Sequence, residues 1–244
     1  MNPEIKRTIS YLKSKNKVLL LTTSNRSDRP TDKPKSTQIA EYIQKKLGDD
    51  KCEIVDVSEL KIYNCCGNVS DNDGNHCGLK KFNLKDKKKN PSGYLRCSIS
   101  HDAKDDQLWK VTNPLFESDA VVFFASVRWG QTNAYYQKLI ERLNWIENRW
   151  TTLNEDNIVK GMDAGIILVG HNWNGANVLR TQKQVLKFYG FDVPEEISWH
   201  WQYTKDELDE TQDGYKKDPK VFEQIFQLAV ELKESFISWL KHKN

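Results

Sequence analysis

The sequence predicts an α/β protein: one open, doubly wound sheet of five parallel strands with helices on both faces. Two observations lead there. Short, wholly apolar runs recur along the chain (VLLL at 18–21, AVVFFA at 120–125, AGIILV at 164–169), and continuous rather than alternating apolarity marks strands covered on both sides, as parallel strands are. Each run is followed by a polar loop and then by apolar residues at helical spacing. The first strand, helix and second strand together take about forty residues, too long for a hairpin and right for a βαβ crossover.

With 244 residues and no internal repeat, a single domain over 1–244 is expected. Lys and Arg number 37 against 34 Asp and Glu, a net charge of +3. That balance is too weak to point to nucleic acid, and it disfavours a carrier that docks through an acidic face. The N-terminus, MNPEIKRTISYLKSKN, lacks a signal-peptide apolar core, and no stretch approaches the roughly 20 apolar residues of a membrane span. A cytoplasmic protein without membrane insertion is the expectation, its five cysteines mostly thiols.

Residues 2–16 read as an amphipathic helix with Ile5, Ile9 and Leu12 on one face, packed on the outside of the domain or on a partner. The organising unit follows at 17–47. Its strand, 18–21, runs into the polar Thr22-Thr23-Ser24-Asn25-Arg26, and a helix starts near Ser36-Thr37 with Ile39, Ala40, Ile43 and Leu47 on one face and Gly48 as its stop. A helix N-terminus offers free N–H groups and partial positive charge to a phosphate. Ser24, Ser27, Ser36 and Thr37 add hydroxyls, Asn25 an amide and Arg26 a charge, a set that suits a phosphate monoester held without a metal. The alternative is a solvated loop in which Ser36 or Thr37 caps the helix. Neither the P-loop pattern nor Gly-x-Gly-x-x-Gly is present, so ATP-type and Rossmann dinucleotide binding lose support.

A second strand is expected at 52–57, leading through Leu60, Ile62 and Tyr63 to Cys65-Cys66. Residues 64–107 are rich in Gly, Asn, Asp and Lys and lack periodicity, which reads as an inserted surface loop with a solvated tip at 85–89. Its Cys65, Cys66, His76, Cys77, Cys97 and His101 raise the question of zinc. Adjacent pairs such as Cys65-Cys66 and His76-Cys77 do not chelate one ion well, so thiols are expected and no metal site.

A helix follows from Leu108 to Phe116, and 119–126 is the strongest buried strand. The loop Val127-Arg128-Trp129-Gly130-Gln131-Thr132-Asn133 leads to a helix through Tyr136, Leu139, Ile140 and Leu143, and 144–160 reads as a connecting segment. The fourth strand, 164–170, opens into His171-Asn172-Trp173-Asn174-Gly175. Gly170 and Gly175 imitate P-loop spacing, but Ala176 and Asn177 stand where Lys and Ser or Thr are needed. A helix over 178–189, the last strand region at 191–203, a charged stretch at 205–218 and an amphipathic helix at 219–241 complete the chain.

In doubly wound sheets ligands sit outside the carboxyl ends of the strands. Three polar loops leave three strands there, at 22–37, 126–133 and 170–175. The first suits a phosphate. The other two each carry a Trp beside Gly, Asn or Gln, giving a flat ring a face to stack on and polar groups for its edge. Flavin mononucleotide (FMN) matches the combination; the alternative for Trp129 and Trp173 is a packed rim.

These residues resemble the flavodoxin-like NAD(P)H-dependent FMN reductases and quinone reductases. The likeness rests on Thr23-Ser24-Asn25-Arg26 with Ser36-Thr37, on Ile62 and Cys65, on Asp105-Asp106 and on Ser118-Asp119-Ala120. It continues in Ala125-Ser126-Val127-Arg128-Trp129-Gly130, in Lys138 with Glu141-Arg142-Leu143, and in Lys160-Gly161. It covers residues 17–190. The chain departs from the family at Val127, where Pro is usual, in an insertion at 28–35, and in its cysteines. Some relatives hold an iron–sulfur cluster on four closely spaced cysteines, and Cys65, Cys66, Cys77 and Cys97 do not reproduce that spacing, so no cluster is expected.

The resemblance implies a flavodoxin-like sheet of order 2-1-3-4-5 and an FMN-dependent oxidoreductase. Electrons from NADH or NADPH would pass through the flavin to a quinone, a flavin or another small acceptor. No protein group need act as catalyst; Arg128 is a candidate for tuning the flavin. Ser24, Arg26, Ser36 and Thr37 would hold the phosphate, with Ser126, Val127, Arg128, Trp129, Gly130, Gln131, His171, Asn172, Trp173 and Gly175 around the ring. A homodimer is implied, with 144–153 as its expected contact. The rival readings are a flavodoxin-type electron carrier and a flavin-less, zinc-stabilised interaction module.

Overall fold

Strand β1 (Val18–Thr22) is buried along its whole length, with β2 (Cys52–Asp56) on one side and β3 (Ala120–Arg128) on the other, both parallel to it. Beyond β3 lie β5 (Asp163–Val169) and β6 (Trp199–Trp201), also parallel. The five parallel strands therefore stand in the predicted succession, β2-β1-β3-β5-β6. A sixth strand was not expected: β4 (Gln131–Thr132) folds back antiparallel on the end of β3. Two residues cannot show the apolar run that betrays a buried strand. The structure, a computed structural model, describes residues 3–24, 33–67, 77–78, 84–94, 96–170 and 174–201. The predicted charged stretch at 205–218 and helix at 219–241 lie outside these residues.

Side chains alternate between the two faces of the sheet, as strand geometry requires. Val18, Leu20, Val122, Phe124 and Ile167 meet Ile5, Ile9 and Leu12 of α1 (Pro3–Lys13) and Ile39, Ala40 and Ile43 of α2 (Lys35–Leu47). Leu19, Leu21, Val121, Phe123 and Leu168 point the other way. They meet Val111 and Leu115 of α4 (Trp109–Phe116), Tyr136, Leu139 and Leu143 of α5 (Ala134–Thr151), and Val178 and Leu186 of α6 (Gly175–Phe188). Helix α1 packs on its own domain: Trp199 Nε1 donates to Thr8 Oγ1 (2.9 Å), Thr8 Oγ1 donates to Glu196 O (2.5 Å), and the Tyr11 hydroxyl donates to Asp163 Oδ2 (2.7 Å). Among the described residues no helix is long and apolar enough to cross a membrane.

Two expectations are corrected on the α5 face. Of the expected connector at 144–160, the part to Thr151 is helix, because α5 continues that far, and Trp145 is fully buried in the core. Ile146 keeps the helical period of Leu139 and Leu143, while Trp145 packs on another side of α5 against Phe116 and Arg96, and Asn148 Nδ2 donates to Cys77 O (2.7 Å). The segment that holds Cys77 is the second correction. The described parts of 64–107 are not all surface: Cys77, Asn90, Arg96 and Cys97 are buried, although 85–88 are exposed as expected. The Arg96 guanidinium lies against the edge-to-face pair of Phe116 and Trp145, 5.2 and 4.9 Å from their centroids, which are 5.8 Å apart. Asn90 Nδ2 donates to Leu84 O and Tyr94 O (both 3.0 Å), and its Oδ1 accepts from Arg96 Nε (3.2 Å). Side-chain-to-backbone bonds of this kind let an irregular segment be buried with its polar groups satisfied. The short helix α3 (Ser98–Asp102) closes it.

Candidate functional site

The chain leaves β1 for β2 on one side and returns past β1 to β3 on the other, so the order reverses between β1 and β3. A crevice is expected at the carboxyl ends of these two strands. Asn133, at the start of α5, joins them. Its Nδ2 donates to Thr23 O (2.7 Å), and its Oδ1 accepts from Ser126 N (3.1 Å) and from the Thr23 hydroxyl (3.2 Å). The Thr23 hydroxyl also lies 2.9 Å from Phe124 O. The first and second loops thus start from one rigid, buried set of bonds.

Beyond that junction Thr22, Ser24, Ser36 and Thr37 are buried, and among the described residues none of their hydroxyl oxygens has a hydrogen-bond partner. Unpartnered buried polar groups are uncommon because each forfeits its hydration. Thr22 lies on the α2 face of β1, in register with Val18 and Leu20. Helix α2 runs back from the carboxyl edge, so its first turn lies at that edge. Pro34 occupies the cap position and no side chain caps the helix, which removes the capping role considered for Ser36 or Thr37. The amides of Ser36 and Thr37 have no intrahelical acceptor, and the first turn holds no acidic residue. Donors without acceptors at a helix N-terminus are what a phosphate group requires. Arg26 lies outside the described residues.

The second loop is a two-residue hairpin joining β3 to β4. Trp129 (φ 49°) and Gly130 (φ 71°) both take the left-handed conformation that such turns need. Trp129 is 88% exposed, so its ring is open to a planar ligand rather than packed in a rim. Arg128 and Gln131 flank it, also exposed, while Val127 is buried and Ser126 half-buried.

Of the third loop, His171, Asn172 and Trp173 lie outside the described residues. Asn174 holds it to the hairpin, its Nδ2 donating to Gly130 O (3.0 Å). Gly175 was expected beside the flavin ring, but it has a packing reason of its own: a Cβ there would stand 2.1 Å from His200 Cε1. The His200 Nε2 lies 3.2 Å from Gly170 O, and burial pushes the imidazole's pKa down, so the neutral ring donates this bond. Gly170 is close to Val127, 3.2 Å from where its own Cβ would be.

Arg142 anchors the far side of the β2 edge. Its Nη1 and Nη2 donate to the two carboxylate oxygens of Asp106 (2.9 and 3.0 Å), Nη1 also to Tyr63 O (2.9 Å) and Nη2 to Ser100 Oγ (3.0 Å). This bidentate pair is almost fully buried. Among the described residues no group of three or more His, Cys, Asp or Glu is disposed to hold a metal ion.

Ser24, Ser36 and Thr37 thus fall at one edge with the 126–131 hairpin. The linking residues Asn133, Asn174 and His200, and the hydroxyl of Thr22, are additions that sequence reasoning did not assign. Asn133 had a visible signal, an Asn just before a helix, but that signal reads as a cap. Its side chain makes no cap bond and turns instead to Thr23 and Ser126.

No protein-family model and no curated protein matches the chain. Solved structures do. RosB with bound 8-demethyl-8-formylriboflavin-5'-phosphate superposes with a TM-score of 0.52 at 15% identity, covering 76% of this chain and 64% of that one. The chain has the flavodoxin-like fold. It therefore spans less than two thirds of RosB. Azoreductase AzrA gives a TM-score of 0.47 at 14% identity (92% and 100% covered), and the azoreductase from Bacillus anthracis str. Sterne 0.46 at 12% (93% and 100%). At these identities the likeness is one of fold.

Proposed function

We propose that this chain is an FMN-binding, NAD(P)H-dependent oxidoreductase whose electrons go to a quinone, a flavin or another small acceptor. The observation that carries the reading is the cluster of buried hydroxyls on Thr22, Ser24, Ser36 and Thr37, without partners among the described residues, at the carboxyl edge of a flavodoxin-like sheet. The ligand of RosB, a riboflavin 5'-phosphate derivative, supports it by analogy of fold.

The residues present fit FMN. Ser24, Ser36 and Thr37, with the first-turn amides of α2, would donate to its phosphate. The exposed face of Trp129 would stack against its ring, and Arg128 would place a positive charge near it. Bound flavin would supply the redox chemistry, taking hydride from NADH or NADPH and passing electrons on. The protein's share is to bind, orient and electrostatically bias that ring. Arg26, His171, Asn172 and Trp173 are proposed to complete the site. A homodimer is part of the proposal, but Trp145 cannot supply its contact because it is core.

The test is spectroscopic. The purified protein, loaded with FMN, should show bound-flavin absorbance that bleaches when NADH or NADPH is added without oxygen. Bands that bleach with dithionite but not with either nucleotide would identify an electron carrier instead. No bound flavin after reconstitution would remove the proposal altogether.

A further inference from the structure

On the α5 side, away from the hydroxyl cluster, thiols gather around the Arg142–Asp106 pair. Cys77 and Cys97 face each other across an isolated antiparallel bridge. Gly78 N donates to Arg96 O (3.3 Å), so the bond flanks the two cysteines rather than joining them. Theirs is the non-hydrogen-bonded kind of pair, with Cα atoms typically about 4.5 Å apart and side chains on one face. A disulfide accepts Cα separations of roughly 4.4–6.8 Å. The backbone already holds these cysteines at a span that a disulfide can close.

Their surroundings differ in a useful way. Arg142 Nη2 donates to Cys97 Sγ (3.5 Å), and Ser100 Oγ lies 3.5 Å from the same sulfur. A guanidinium and a hydroxyl at this range can stabilise negative charge on the sulfur as it reacts. Asn144 Nδ2 lies 3.9 Å from Cys77 Sγ, and burial pushes the Cys77 thiol up to about 11, with the nearby Cys97 adding to the shift. The contacts of Cys97 suit the attacking sulfur, and the buried Cys77 thiol suits the one that resolves the product.

We propose that Cys97 and Cys77 form a peroxide-reactive dithiol site that closes to a Cys77–Cys97 disulfide. The Cys97 thiolate attacks hydrogen peroxide: an S–O bond forms, the O–O bond breaks, and the departing hydroxide takes a proton to become water. The Cys77 sulfur then attacks the Cys97 sulfenic acid. The S–S bond forms, the S–O bond breaks, and a second water leaves with the Cys77 proton. Two thiols are oxidised by two electrons and one peroxide is reduced to two waters. This inference is independent of the flavin reading.

The experiment treats the reduced full-length protein with one equivalent of hydrogen peroxide, blocks residual thiols after denaturation, and maps the product. Trypsin cuts after Lys80 and Arg96, and cleavage before Asp73 separates Cys77 from Cys65 and Cys66. The expected result is loss of two of the five thiols and a cross-link between the Cys77 and Cys97 peptides. Cys52 should stay reduced, since burial pushes its thiol up to about 12. In Cys77→Ser protein, dimedone should label Cys97 as its sulfenic acid; if that variant does not fold, the wild-type map decides alone. Five thiols surviving, a cross-link through Cys65 or Cys66, or oxidation of Cys52 at the same rate would each overturn the proposal.

Discussion

Asn133 and Thr23 hold each other twice: the Asn133 amide donates to the Thr23 carbonyl at 2.7 Å, and the Thr23 hydroxyl lies 3.2 Å from the Asn133 carbonyl oxygen. With Ser126 N as a third partner, one buried side chain aligns two loops from neighbouring strands. Asn133→Ala leaves Thr23 O and Ser126 N short of partners, at a cost of about 1–3 kcal/mol in unfolding free energy. Asn133→Asp should be worse, because a carboxylate then faces the Thr23 carbonyl. Urea denaturation of both variants measures this, and equal stability of Asn133→Asp and wild type would contradict the bonding scheme.

The hydroxyl cluster should distinguish FMN from riboflavin. A hydrogen bond to a charged group contributes roughly 1.5–3 kcal/mol, so Ser36→Ala or Thr37→Ala should weaken FMN binding by about ten- to a hundredfold. Riboflavin, which lacks the phosphate, should bind both variants as it binds wild type. Because neither hydroxyl has a partner among the described residues, unfolding free energy without FMN should not fall. Fluorescence titration with the two ligands gives the comparison; parallel losses for both would place the phosphate elsewhere.

Breaking the Arg142–Asp106 pair leaves an isolated buried charge. Asp106→Ala should cost about 3–5 kcal/mol, and Arg142→Met a similar amount through the stranded carboxylate. The double variant should recover part of the loss, which a double-mutant cycle in urea would measure. Strict additivity of the two single changes would show that the pair is not coupled.

His200 gives the site's edge a pH dependence. Burial lowers its pKa from the ordinary 6.5. Above pH 6.5 the ring is neutral both folded and unfolded, and it exerts no pull on the equilibrium. Below 6.5 the unfolded chain takes the proton first, so stability falls with pH until the folded ring's lower pKa is passed. His200→Gln should flatten this part of the profile relative to wild type between pH 6.5 and 5. Denaturation midpoints across that range test it, and identical slopes would show that the folded ring titrates normally. Gly175→Ala should destabilise by about 1–3 kcal/mol, since the new Cβ enters the space of the imidazole.

Much of the frame was legible before folding. The buried runs at 18–21, 120–125 and 164–169 became β1, β3 and β5, and Ile39, Ala40 and Ile43 face the sheet as their spacing implied. Ser24, Ser36 and Thr37 were singled out as donors because hydroxyls after a buried strand and at a helix start are a local pattern. Less visible were Asn133, which resembles a cap, and the continuation of α5 through Trp145, where Trp and Asn density masks the helical period.

By itself the sequence determined the sheet, its layers and the edge where polar loops collect, because strand burial and helix amphipathicity are written in spacings of two to four residues. Only the tertiary structure decided what crosses between segments far apart in the chain. It paired Cys77 with Cys97, buried Arg96 against two rings, filled the space at Gly175 with His200, and turned Asn133 toward Thr23. Such contacts join residues from about 20 to more than 100 positions apart, and no periodicity spans that distance; they follow from which faces the folded sheet brings together.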